Sequence, residues 1–184
     1  MKIAIVVGHN SVSKGAYRSI DGVPEFTWNA DLAEMIRDHD PARIKVFHRL
    51  RIRGGYSAEV DRVYGQVNDW NATCSIELHF NGFAGPAEGC LTLSSGTPRS
   101  FALAREVQRR MLALMGNEDD GIEVRRRHDR GGRSLWQGRS PAIMTEPYFA
   151  GNDRYCQIAD HYKDELAEAI YRGAVAFHKK EESR

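Results

Sequence analysis

Three stretches of the chain are almost continuously apolar and each ends on a residue able to do chemistry. Lys2-Ile3-Ala4-Ile5-Val6-Val7-Gly8 runs into His9, Thr73-Cys74-Ser75-Ile76-Glu77-Leu78 runs into His79 and an Asn81-Gly82 turn, and Pro141-Ala142-Ile143-Met144-Thr145 runs into Glu146. Uninterrupted apolar strands, rather than alternating ones, suit a parallel sheet covered by helices on both faces. Such sheets bind ligands beyond the carboxyl ends of their strands, so His9, His79 and Glu146 are expected at one rim.

The segments between these strands read mainly as helices. Pro24-Glu25 fits a helix start, with Phe26, Asn29, Ala33 and Ile36 at helical spacing and an end before Pro41. Arg43 to Phe47 reads as a strand and Arg49 to Gly55 as a basic turn, after which Ser57 caps a helix carrying Val60, Val63, Tyr64, Val67 and Trp70. Gly85-Pro86 marks a turn before a strand over Gly89 to Leu93. Thr97-Pro98 then opens a helix with Phe101, Ala104, Val107, Met111 and Leu114 inward, up to Gly116-Asn117. Residues 117–140 are irregular, with Ile122 to Arg126 as a short edge strand. From Gly151-Asn152-Asp153 one long helix presents Ile158, Tyr162, Leu166, Ile170 and Phe177 inward. The expected fold is a single α/β domain over residues 1–178, a twisted, mostly parallel sheet of about five to six strands flanked by helices, with residues 179–184 as a frayed tail.

Composition narrows the partners. The chain has 184 residues, 41% hydrophobic and 28% charged, ordinary for one globular domain. Lys and Arg number 26 against 25 Asp and Glu, so no bulk field draws nucleic acid or an anionic membrane. Cys74, Cys90 and Cys156 form no Cys-x-x-Cys pair; Cys74 and Cys90 read as small core residues. The apolar run before His9 is too short for a signal peptide and no stretch reaches a membrane span. Synthesis in the cytoplasm without a visible signal peptide is therefore expected, with export left to something else.

Two neutral imidazoles and one carboxylate, with a fourth position left for water, make a recognised catalytic zinc shell that lowers the pKa of water to about 7. His9, His79 and Glu25 supply such a set, although Glu25 by itself is more often a carboxylate meeting a helix dipole, so its place in the set depends on the family resemblance given below. Glu146 is the candidate proton shuttle. Glu77 lies on the same side of its strand as His79 and either pairs with a cation or orients the histidine. His39 and His48 fall among charged residues and read as exposed. The loop from Arg125 to Arg133, including His128, is either a solvated charge run or a cradle for carboxylates.

Gly8-His9, Gly15-Ala16, Glu25 with Asn29, Ser75-Ile76-Glu77-Leu78-His79-Phe80-Asn81, and Pro141 to Glu146 followed by Phe149 and Asn152 together resemble the zinc-dependent N-acetylmuramoyl-L-alanine amidases, catalytic domain only. The resemblance implies a phosphorylase/hydrolase-like sheet, Zn2+ on His9, Glu25 and His79, and Glu146 as the catalytic glutamate. It implies cleavage of the amide between N-acetylmuramic acid and L-alanine in peptidoglycan or a muropeptide. Asn81, Arg126 and Arg133 are then candidates for substrate binding. Action as a monomer without membrane insertion fits, as does a phage-type endolysin released through a holin-type pore or an enzyme of wall-fragment recycling. The chain departs from the family pattern where Val7 and Asn10 replace an acidic residue and a glycine beside Gly-His, and where Glu77 interrupts a Ser-Ile/Leu-His run. A zinc amidohydrolase of small soluble N-acyl amino acids or peptides, and a metal-free wall-binding pseudoenzyme, are the alternative readings.

Overall fold

The apolar runs form the centre of a six-stranded sheet. A computed structural model describes residues 1–82, Gly85 and 87–183; Pro86 of the expected turn and Arg184 of the tail lie outside the described residues. The strands are β1 (Ile3–Val7), β2 (Ile44–His48), β3 (Cys74–Leu78), β4 (Cys90–Ser94), β5 (Asp119–Val124) and β6 (Ala142–Glu146), in the spatial order β2-β1-β3-β6-β4-β5. Four of them, β2, β1, β3 and β6, run parallel; β4 pairs antiparallel with β6 and parallel with β5. The last strand in sequence thus sits between β3 and β4, placing Glu146 on the same rim as His9 and His79.

The helices are α1 (Glu25–Asp38), α2 (Gly55–Asp69), α3 (Pro98–Met115), α4 (Gly132–Gln137), α5 (Asp153–His161) and α6 (Lys163–Glu182). Strand alternation divides the core: Ile3, Ile5 and Val7 join one cluster with α1, α3, α5 and α6, while Ala4 and Val6 join another with α2 and α4. α3 and α6 approach closely because Gly173 has no side chain; a Cβ there would lie 2.7 Å from Val107 Cγ2. Among the described residues no helix is long and apolar enough to cross a membrane.

Several local expectations are corrected. Ser57 lies inside α2, which starts after Gly54 in a left-handed conformation at φ 105°. The edge strand ends at Val124 rather than Arg126, and Gly131 at φ 79° starts the short α4, which no apolar periodicity announced. Phe101, expected inward, is 41% exposed. The single C-terminal helix is two, broken at Tyr162, whose ψ of 29° with φ −107° is not helical. The segment expected to fray is helical through Glu182, with Lys180 Nζ 2.5 Å from Glu106 Oε1.

Candidate metal centre

His9 and His79 are held by the sheet itself. The Gly8 amide donates to Leu78 O at 3.1 Å and the His79 amide to Thr145 O at 3.0 Å, extending both strands by one pairing. Only glycine fits at position 8, because a Cβ would stand 2.5 Å from the His79 ring. His9 adopts φ 64°, a strained conformation for a side chain of this size, which turns its imidazole out of the strand direction toward the cleft. Asn10 stabilises that turn: its Oδ1 accepts from the amides of Val12 at 3.0 Å and Ser13 at 2.7 Å.

Glu25 enters from the first turn of α1. Its amide donates to Ala16 O at 2.9 Å, and its carboxylate accepts from the amides of Ala16 (3.1 Å) and Phe80 (3.2 Å). Gly15, at φ 82°, lets the loop pass: a Cβ there would lie 2.6 Å from Glu25 Oε2 and from His9 Cδ2. His79 Nδ1 donates to Glu25 Oε1 at 2.7 Å, and His9 Nε2 lies 3.1 Å from Glu25 Oε2. The two rings meet edge to face, 5.0 Å between centroids. One donor atom from each of His9, Glu25 and His79 falls within 4.8 Å of the others, close enough for the three to hold a single ion. Donor set and glycine cradle both fit a divalent metal that takes nitrogen and carboxylate oxygen.

The electrostatics of the cluster follow from burial set against pairing. Burial alone would raise the carboxyl pKa of Glu25, but hydrogen bonds from His79 and His9 hold it well below the usual range. Burial opposes a charged His79, yet the hydrogen bonds to Glu25 and Glu77 push its pKa up to about 10. For Glu77, burial is outweighed by the bond and charge of His79 and by Arg49, bringing it down to about 2. A histidine pKa raised from 6.5 to about 10 adds stability that is complete below 6.5 and lost as pH climbs through 10. The carboxylates act at the other end, adding stability above about 4.5 that is lost on acidification. Metal-depleted protein should therefore melt progressively lower from pH 7 to pH 10; a melting temperature flat across that window in calorimetry would contradict a His79 cation held by two carboxylates.

Glu146 ends β6 on the wall of the same cleft, about 1320 Å³ in volume, that His9, Glu25, His79 and Asn81 line. Its burial raises the carboxyl pKa; the charge of His79 opposes this and that of Glu25 adds to it. Neither arginine named from the sequence lines the cleft. Arg133, wound outward by the turn at Gly131, donates to Asp61 of α2 through Nε at 3.0 Å and Nη2 at 2.7 Å. Arg126 is exposed outside the cleft, and the wall instead carries Arg125, His128 and Arg130. His39 and His48 stay away from the cleft: His39 stacks on Tyr171 at 5.5 Å, and His48 meets Phe26 edge to face at 6.3 Å.

The residue pattern carried no sign of Arg49 or Glu59, both lining the cleft and buried at 6% and 3% exposure. Arg49 lies in a run that reads as a solvated basic turn, and no spacing marks one arginine among its neighbours as internal. Glu59 could have been found from helical periodicity, since it shares the buried face of α2 with Val60, Val63, Tyr64 and Val67.

Comparison with known proteins gives the family and the fold. Residues 3–176 match the Amidase_3 family model, described as N-acetylmuramoyl-L-alanine amidase. No curated protein matches the sequence significantly. Among solved structures, the N-acetylmuramoyl-L-alanine amidase from Clostridium difficile 630 superposes with a TM-score of 0.80 at 21% identity, covering 97% of each chain. The CwlD amidase from Clostridioides difficile, solved in complex with the GerS lipoprotein, gives 0.82 at 18% identity over 97% of this chain and 99% of its own. The catalytic domain of the CD27L endolysin targeting Clostridia Difficile gives 0.77 at 20% identity, over 96% of this chain and 97% of its own. At these identities the likeness speaks for the fold. The family match, however, leaves only the N-terminal dipeptide and the last turns of α6 outside it. The chain belongs to the N-acetylmuramoyl-L-alanine amidase family and hydrolyses the amide joining N-acetylmuramic acid to L-alanine in peptidoglycan.

Proposed function

We propose that the amidase is zinc-dependent, with His9, Glu25 and His79 holding Zn2+ and Glu146 moving the protons. The observation that carries this reading is three donor atoms within 4.8 Å of one another on the wall of a cleft that also holds a half-buried carboxyl group. When bound, Zn2+ polarises an amide carbonyl and acidifies water. Glu146, ionised, takes a proton from the water attacking the carbonyl carbon, and then delivers it to the alanine nitrogen as the C–N bond breaks. Its raised pKa favours the second half of that task. Glu25 keeps both imidazoles in place, and its bonds to the amides of Ala16 and Phe80 fix its own orientation.

The cleft exceeds the usual volume of small-ligand sites, roughly 300–1,000 Å³, which supports a muropeptide over a small N-acyl amino acid. Stem peptides carry carboxylates, and Arg125 and Arg130 of the wall are the groups to receive them. Arg125 has a buried Nε with no hydrogen-bond partner among the described residues, although its Nη2 reaches Glu123. Asn81 lines the same cleft and is joined through its backbone to Tyr148 and Ala150.

The test is to strip the protein with a chelator, reload it with Zn2+ and follow new L-alanine amino groups on purified peptidoglycan. Release is expected to require about one bound ion per chain. Full release from the stripped protein would overturn the metal reading.

A further inference from the structure

Two of the three departures from the amidase pattern, Asn10 and Glu77, meet in one buried chain of polar groups. His79 has both ring nitrogens engaged: Nδ1 faces Glu25, and Nε2 lies 3.1 Å from Glu77 Oε1. Glu77 Oε2 accepts from Tyr64 Oη at 2.9 Å, and its Oε1 lies 3.7 Å from Arg49 Nη1. Arg49 Nε lies 3.6 Å from Glu59 Oε2, the oxygen that accepts from Asn10 Nδ2 at 2.9 Å. Asn10 in turn holds the loop that follows His9. Asn10, Arg49, Glu59 and Glu77 are 1–6% exposed.

We infer that Glu77, Arg49, Glu59 and Asn10 form a single positioning relay that orients the two histidines toward the metal, Glu77 through the far nitrogen of His79 and Asn10 through the backbone of His9. Resting on the zinc reading above, this adds residues that touch neither metal nor substrate. Stability gives little reason for such a chain, because buried ion pairs are matched or bettered by apolar residues of similar volume. Metal-bound histidines, by contrast, commonly donate their other ring N–H to a carboxylate, and losing that partner weakens metal affinity about 10–100-fold. Asn10 and Glu77 lie far apart along the chain and act on different histidines. Their connection through Arg49 and Glu59 makes one feature of what the sequence presents as two.

The probe is Zn2+ affinity by chelator competition, for wild type, Glu77→Gln, Asn10→Ala and the double variant, with melting curves of the metal-depleted proteins to establish that each is folded. Glu77→Gln is expected to weaken binding about tenfold or more. Asn10→Ala is expected to weaken it less, and the double variant by less than the product of the two, as members of one network do. Folded single variants within about twofold of wild type, or effects that multiply fully, would overturn the relay. Should Glu77→Gln not fold, Tyr64→Phe deletes one bond to the same carboxylate, and unchanged affinity there and in Asn10→Ala overturns the relay equally. Wild type that binds no Zn2+ would instead sink the metal reading itself, an outcome visible before any variant is made.

Discussion

Glu146→Gln is expected to lower kcat on purified peptidoglycan by about 10²–10⁴-fold, the range for loss of a positioned acid–base group. Zinc content should remain at the wild-type value, because position 146 is not among the three clustered donors. The amide keeps the size of the side chain at the end of β6, where residue 146 pairs with Leu91 of β4, and removes only the ability to carry a proton. A loss confined to KM would move Glu146 from proton transfer to substrate binding. Loss of zinc together with activity would make it a ligand, and an unchanged kcat would remove it from the mechanism.

Glu25→Ala is expected to be worse, abolishing activity, metal and part of the stability at once. Two imidazoles lose their shared partner, and the amides of Ala16 and Phe80 lose their acceptor. Breaking a buried pair by deleting one partner costs about 3–5 kcal/mol, which for a chain of this size lowers the melting temperature by roughly 10 °C. The measurement is calorimetry on metal-depleted wild type and variant, with metal analysis after reloading. Equal melting temperatures would mean the His79–Glu25 contact contributes nothing to the fold without metal. Zinc at full stoichiometry in the variant would remove Glu25 from the ligand set.

What could be read from the sequence depended on how locally each feature is encoded. β1, β3 and β6 were legible because strands buried on both faces must be apolar throughout, and the polar residue ending each run therefore stood out. His9, His79 and Glu146 followed directly. Glu25 did not, since a carboxylate in the first turn of a helix has a sufficient local reason to be there; its place in the site came from resemblance. α4 is too short for periodicity to reveal, and its left-handed start at Gly131 leaves no apolar pattern to mark it. Arg126 and Arg133 belong to the same basic loop, but Arg125 and Arg130 are the ones that line the cleft. The break at Tyr162 was invisible because apolar spacing continues across it. Arg49 was the hardest to anticipate: its burial between Glu59 and Glu77 exists only once β2, α2 and β3 have come together.

The position of β6 also makes the whole sheet depend on the last strand of the sequence. Without residues 142–146, β3 lacks a neighbour on one side and β4 and β5 lose their connection to the rest of the sheet. Such non-local pairing is slow and leaves edges exposed to wrong partners. It also means that a chain stopped short of residue 146 lacks both the central strand and the carboxylate that strand delivers. The sheet is therefore closed by its final strand, and its two halves have no other strand in common.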